Sequence, residues 1–281
     1  MNSKLNYKRT FFVGLAFLSI SGFWQMYENI IPLILQDTFG LGETMTGSIM
    51  ALDNVLAILL LPFFGSLSDK VDTRWGRRTP FIVCGTVLAV VFMLVLPMAD
   101  QLASLPLFVG ALFGTLLSMG IYRSPAVALM PDLTPNRLRS KANAVINLMG
   151  AVGGVYALLM IKLLVGKGDA PDYRPLFLSV ASLMVVAVGV LVLTVREKKL
   201  ADEIAVQEGQ IEEPTEGSVE KKATKLPKDV MRSMIFLLVS ILFWFAAYNA
   251  VTTAFSRYTR VVWHMQGGSF ADSLMVATIA A

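Results

Sequence analysis

The sequence predicts an all-α, polytopic membrane protein. Two observations predict it. Of its 281 residues, 55% are hydrophobic and only 16% charged, against roughly 25% charged in an ordinary soluble domain. The charges also fall in short clusters separated by long apolar runs, the pattern of a chain whose solvent is largely lipid. A mean hydropathy of +0.64 agrees.

A helix needs about 20 mainly apolar residues to cross the hydrocarbon. Seven runs reach that length: residues 11–35, 46–67, 80–98, 105–130, 142–165, 175–195 and 234–255. An eighth begins near Ser273 and reaches Ala281, too short a piece to cross, so the chain is expected to stop within helix eight. The first run follows Lys4, Lys8 and Arg9 but is longer than the core of a signal peptide and carries no small-residue cleavage site. It is the first span.

Lysine and arginine set the orientation. With the N-terminus in the cytoplasm, 18 of them fall on the inner side and five (Lys162, Lys167, Arg174, Arg257 and Arg260) on the outer side. Lys162 stands at the outer end of its run, and Arg123 alone lies deep within a span. The expectation is a multi-pass protein of the cell (inner) membrane with a cytoplasmic N-terminus.

After span six the chain changes character. Arg196 to Lys228 is polar, mixed in charge and poor in aromatics, so it buries no core and reads as a mobile or partly helical linker. The expected organisation is a six-helix bundle over residues 1–196, a cytoplasmic linker over 197–230, and an incomplete second bundle over 231–281. Six spans, a long linker and further spans suit a transporter built from two bundles. The loops SDKVDTRWGRRTP and PDLTPNRLRSKAN, after spans two and four, each open on an acid and run into arginines.

Composition also excludes function classes. The net charge of +4 and a pI near 9.2 come from bases at the ends of apolar runs, which argues for membrane orientation and against nucleic acid. One cysteine, Cys84, and one histidine, His264, leave no disulfide, no zinc constellation and no Cys–His nucleophile pair. With no phosphate loop or nucleophile–base pair either, an enzyme is not expected, nor is a cofactor or metal.

Ionisable groups inside spans are expensive and face a cavity or a partner. Glu28 and Asp53 lie at matching depths in spans one and two, roughly 10–12 Å from the outer surface at 1.5 Å per residue. Gly14, Ser21, Gln25, Glu28 and Pro32 share one face of span one. Lipid cannot satisfy a polar face with a carboxylate, so this one is expected to look into a cavity. Glu28 or Asp53 could carry a proton there, hold a cation, or fix packing through an interhelical hydrogen bond. Span seven has a weaker stripe, Asn249, Thr252, Thr253 and Ser256, whose threonines can equally bond their own backbone. Gly110 and Gly114 in span four, and Asn143, Asn147, Gly150 and Gly154 in span five, mark close helix contacts. Gln25, Glu28, Asp53, Arg123 and Asn249 are the candidate cavity residues.

The loop Gly65 to Pro80, GSLSDKVDTRWGRRTP, resembles the loop between helices two and three of major facilitator transporters. Gly65, Asp69, Gly76, Arg77 and Arg78 match that motif, with four extra residues between Asp69 and Gly76. This longer form, and the segment Tyr122 to Ala144, are similar to the sucrose-transporter branch and to the glycoside–pentoside–hexuronide cation symporters.

The resemblance implies a major facilitator fold and a secondary active transporter working by alternating access. The expected activity is proton-coupled symport of a sugar or glycoside, with sodium as the alternative ion. An exporter of drugs or metabolites and a truncated non-transporting subunit are the alternatives. The expected partners are a small-molecule solute and the lipid bilayer. The resemblance further implies a cytoplasmic latch between the bundles, built from Gly65, Asp69, Arg74, Gly76, Arg77 and Arg78 with Asp132 and Arg139 of the second loop. Melibiose-type symporters carry two acids one turn apart in helix two, where this chain has Asp53 alone. Arg123 lies about one turn earlier than the helix-four arginine of plant sucrose carriers.

Overall fold

The computed structural model describes residues 5–166, 171–209, 228–265 and 267–280. Helix α1 runs Tyr7–Asp37, α2 Glu43–Met50, α3 Leu52–Lys70, α4 Thr79–Gln101 and α5 Leu105–Asp132. A 3₁₀ turn, Asn136–Leu138, leads into α6 (Arg139–Leu164), followed by α7 (Arg174–Thr194), α8 (Glu197–Gly209), α9 (Lys228–Trp263) and α10 (Ala271–Ala280). Among the described residues, seven helical stretches are long and apolar enough to cross a membrane. Each falls on a run expected from the sequence, and the short eighth run is α10.

Helix ends follow local chemistry. Asn6 caps α1 by accepting the N–H of Arg9 at 3.1 Å. Prolines sit in the first turn of α4, α5 and α7, where the missing N–H costs nothing. The second expected span is broken at Ala51 into α2 and α3. Asp53 lies in the first turn of α3, and its Oδ1 accepts both the backbone and side-chain N–H of Asn54, at 2.7 and 2.9 Å. Such local bonding favours a helix start over a helix interior.

Helix α1 is the central column and packs against α6 and α7. The approach to α6 is close enough to need glycine: a Cβ at Gly153 would lie 2.0 Å from the carbonyl oxygen of Leu18. Helix α4 packs against α5 and α7, and α3 against α5. Tyr122 of α5 is fully buried; its hydroxyl donates to the carbonyl of Ala16 at 2.9 Å and meets Ser19. The expected close contacts hold for Gly114, against Phe92, and for Gly150, against Ser21, whereas no atom stands within 4 Å of a Cβ at Gly110.

Helix α9 touches α1, and α10 touches α6. The part of the linker that is described forms α8, and residues 210–227 of it lie outside the described residues.

Candidate functional site

A cavity of about 730 Å³ opens between α1, α2, α3 and α9, within the roughly 300–1,000 Å³ range of small-molecule sites. Tyr27, Glu28, Pro32 and Gln36 line it from α1, and Asp53 and Asn54 from α3. Glu43, Thr46 and Met50 line it from α2, and Ala250 and Arg257 from α9. The two carboxylates judged to sit at equal depth therefore share one wall.

Arg123 stands behind that wall. It borders a second pocket of about 20 Å³ with Trp24, Asp53, Leu60 and Met119, room for about one water. Asp53 lines both spaces. The Arg123 guanidinium lies over the Trp24 ring, 5.4 Å from its centroid, a cation–π contact. Glu28, Asp53 and Arg123 act on one another's charge. Fully ionised, the three carry a net charge of −1. One arginine cannot neutralise both acids.

Phe23, Trp24 and Tyr27 form an aromatic step beside this group. Trp24 meets Tyr27 edge-on at 5.2 Å, and Phe23 stacks on Tyr27 at 5.9 Å. Trp24 Nε1 and the Tyr27 and Thr46 hydroxyls are buried without hydrogen-bond partners among the described residues.

The polar stripe of α1 divides. Gly14, Ser21 and Gln25 face α6, at Met149, Gly150 and Gly154 respectively. Glu28 and Pro32 line the cavity, and Gln25 is not among its lining residues. Asn249 is on α9, but its side chain lies outside the described residues. Thr252 donates to the carbonyl of Tyr248 at 3.1 Å, the backbone bond anticipated for a threonine in a span. Among the described residues no group of three or more His, Cys, Asp or Glu could hold a metal ion.

The model of the Major Facilitator Superfamily matches residues 13–281. The chain belongs to the major facilitator superfamily. Its fold is also that of a crystal structure of a D-xylose–proton symporter, with a TM-score of 0.63 and 15% identity over 97% of this chain and 65% of that one. A sucrose transport protein of Arabidopsis thaliana is 23% identical over 151 residues, covering 47% of this chain and 25% of that protein. A symporter of Synechocystis sp. described as uncharacterised is 26% identical over 151 residues, covering 50% of this chain and 27% of that one. These alignments thus span about a quarter of the length of the curated relatives.

In this major facilitator chain the loop residues form a second polar centre, at the end of the bundle away from Gln36. Arg78, 6% exposed, organises it. Its Nε donates to Asp132 at 2.9 Å, Nη1 to the carbonyl of Gly65 at 3.3 Å and to Ser68, and Nη2 to Asp69. Arg77 enters through its backbone N–H, and Arg139 caps α5 by donating to the carbonyls of Pro131 and Thr134. Arg74 makes no hydrogen bond or ion pair with the described residues. The network joins α3, α4, α5 and α8, and among the described residues no side chain of α9 or α10 enters it.

Sequence reasoning missed Glu197. Its carboxylate accepts the backbone N–H of Arg77, Arg78 and Thr79 at 2.7–2.8 Å, and the Thr79 hydroxyl at 2.7 Å. It is an acid bound on the N-terminus of α4, where exposed N–H groups and the helix dipole favour an anion. The signal was there in principle: Glu197 is the first acid of the charged run that Arg196 opens straight after span six.

Proposed function

We propose that this chain carries the first bundle, and the start of the second, of a secondary active transporter. Its activity is proton-coupled symport of a sugar or glycoside by alternating access. One observation carries the reading: Glu28 and Asp53 face a single cavity with one arginine behind them. In a low-dielectric site that arrangement holds one carboxylate as an ion against Arg123 and leaves the other to take up and release a proton. Polar groups on several helices, with the Tyr27 ring among the lining residues, suit a hydroxylated ring, which offers both donors and acceptors and an apolar face. The similarity to a sucrose transport protein and to the fold of a D-xylose–proton symporter supports the solute class. In this reading the Arg78 centre lies in the cytoplasm, in keeping with the lysine and arginine count.

The test separates coupling from binding. In proteoliposomes under a pH gradient, Glu28→Gln abolishes uphill accumulation of the sugar while leaving sugar–sugar exchange intact. Unchanged accumulation would remove Glu28 from the coupling role. Loss of both activities would make Glu28 a binding or packing residue.

A further inference from the structure

Helix α9 meets the rest of the molecule at one end only. Its described side chains from Val230 to Trp244 are exposed, whereas Ser256 and Thr259 are fully buried. At that buried end α9 presents two arginines to acids. Arg260 pairs with Asp37 at the end of α1. Arg257 donates through Nη1 to Gln36 of α1, and its Nε lies 3.3 Å from Glu43 Oε1 on α2. On the neighbouring pair of helices, Lys162 of α6 meets Asp272 of α10 at 2.7 Å.

Arg257 differs from Arg260 in one respect: it also lines the cavity. Gln36, its partner, stands eight residues beyond Glu28 on α1, about 12 Å at 1.5 Å per residue. The cavity thus runs from the carboxylates at one end to Arg257 at the other. The Nε–H of Arg257 is buried and has no hydrogen-bond acceptor. Glu43 lies within charge contact of it but off the direction a hydrogen bond requires. A buried donor whose carboxylate neighbour lies off its N–H direction is costly, and a ligand oxygen that accepts the N–H recovers part of that cost. Tyr27 and Thr46, in the same wall, hold two further unpartnered hydroxyls and are 2% and 3% exposed. Lining residues of three helices, Tyr27 on α1, Thr46 on α2 and Arg257 on α9, each carry one buried polar atom without a hydrogen-bond partner among the described residues.

We propose that Arg257 is a positioning residue that reads cavity occupancy: its Nε–H donates to an oxygen of the bound solute while Nη1 keeps Gln36, drawing α9 onto α1 and α2. The solute class is a polyhydroxylated one, and this rests on the sugar reading above. A ligand shifts a conformational equilibrium only by its differential affinity for the two states. Arg257 supplies that difference, because Nη1 already holds Gln36 with α9 against α1, and a solute at the Nε–H adds a contact that exists only in this arrangement. Arg260 and Lys162 hold the same end together without facing the cavity.

The experiment uses the full chain in membranes, with Cys84→Ser and a reporter cysteine at Ala250→Cys in the cavity wall. A membrane-impermeant maleimide is applied from the face carrying Glu43, with sucrose as the probe. At a sucrose concentration about ten times its half-protecting value, sucrose is expected to slow labelling about tenfold, and Arg257→Gln, by removing one hydrogen bond to a charged group, to cut the protection to about twofold. Glu43→Gln, which removes the charge contact but keeps the Nε–H, retains it. A merely structural Arg257 predicts the same loss from both substitutions, and that result overturns the proposal. Equal protection with and without Arg257 also overturns it while leaving the sugar reading intact. Failure of sucrose and of a panel of mono- and disaccharides to protect the chain with Arg257 in place overturns the sugar reading instead, and the solute named here with it. Arg257→Lys, which keeps the charge but not the planar fork, guards against misfolding of the glutamine variant and is expected to restore less than half the protection.

Discussion

The carboxylate of Glu197 occupies the space that a side chain at position 76 would need. A Cβ on Gly76 would lie 2.3 Å from Glu197 Cδ and 2.4 Å from Oε2, and Gly76 has φ +117°. Gly76 in the motif and Glu197 after span six, 121 positions apart, are therefore one structural unit. Only a residue without a Cβ lets the acid reach the N-terminus of α4.

This unit predicts coupled substitutions. Glu197→Ala leaves three backbone donors and the Thr79 hydroxyl without their acceptor and costs about 1–3 kcal/mol. Gly76→Ala displaces the carboxylate and costs a similar amount, with backbone strain added. The double variant is expected to cost clearly less than the two single losses together, because each removes the same contact. Thermal unfolding of the four proteins in one detergent measures it, and strict additivity would refute the shared origin.

Arg78 is not replaceable by lysine. Its guanidinium divides between Asp69 and Asp132 and also reaches Gly65 and Ser68. An ammonium is a single point donor and cannot span that fork. Arg78→Lys is expected to lose about 1–3 kcal/mol, allowing for the partial exposure of Asp69. In the Asp132→Asn background the loss shrinks, and unfolding midpoints report both.

Two glycines in membrane helices predict opposite outcomes. Gly153→Ala puts a methyl against the Leu18 carbonyl, so α1 and α6 must part and the folded yield falls. No atom stands within 4 Å of a Cβ at Gly189 on α7, and Gly189→Ala is expected to be neutral or to stabilise by up to about 1 kcal/mol through helix propensity. Monodisperse recovery on gel filtration, with thermal midpoints, distinguishes them.

Tyr173, just ahead of α7, sets an alkaline limit. Burial pushes its phenol up to about 12, with the Arg260 guanidinium pulling down and the Asp37 and Asp100 carboxylates pushing up. The neutral phenol is the form that the fold favours. Its contribution is complete below the ordinary tyrosine value near 10 and is lost as pH rises from there through about 12. The unfolding midpoint is expected to fall over that window, and to fall less steeply in Tyr173→Phe.

Much of the fold was legible because lipid imposes a simple rule. Spans must be apolar, long and helical, so run lengths located the seven found among the described residues, and α10 starts two residues from its expected run, whereas α9 starts at Lys228, six residues before the expected run at 234. The break at Ala51 was not legible, since Thr46 to Leu67 reads as one mainly apolar run and only the bonding of Asp53 to Asn54 marks the new helix start. Glu28 and Asp53 were legible as a pair through cost and depth alone. Arg123 was legible as an intramembrane charge, but its place behind Asp53, over Trp24, was not.

Gln25 shows where sequence reasoning stops. It shares a helical face with Glu28, yet α6 covers that face at Gln25 and a cavity opens at Glu28. Period along one helix determines which residues point the same way. Only the course of the neighbouring helices decides which of them meet protein and which meet a cavity. The same holds for Glu197 and Arg257: sequence alone counted Arg257 among the outer-side charges and left Glu197 undistinguished within the linker. Tertiary structure made one the cap of α4 and the other a wall of the cavity, because a charge takes its role from what folding brings within about 3 Å of it.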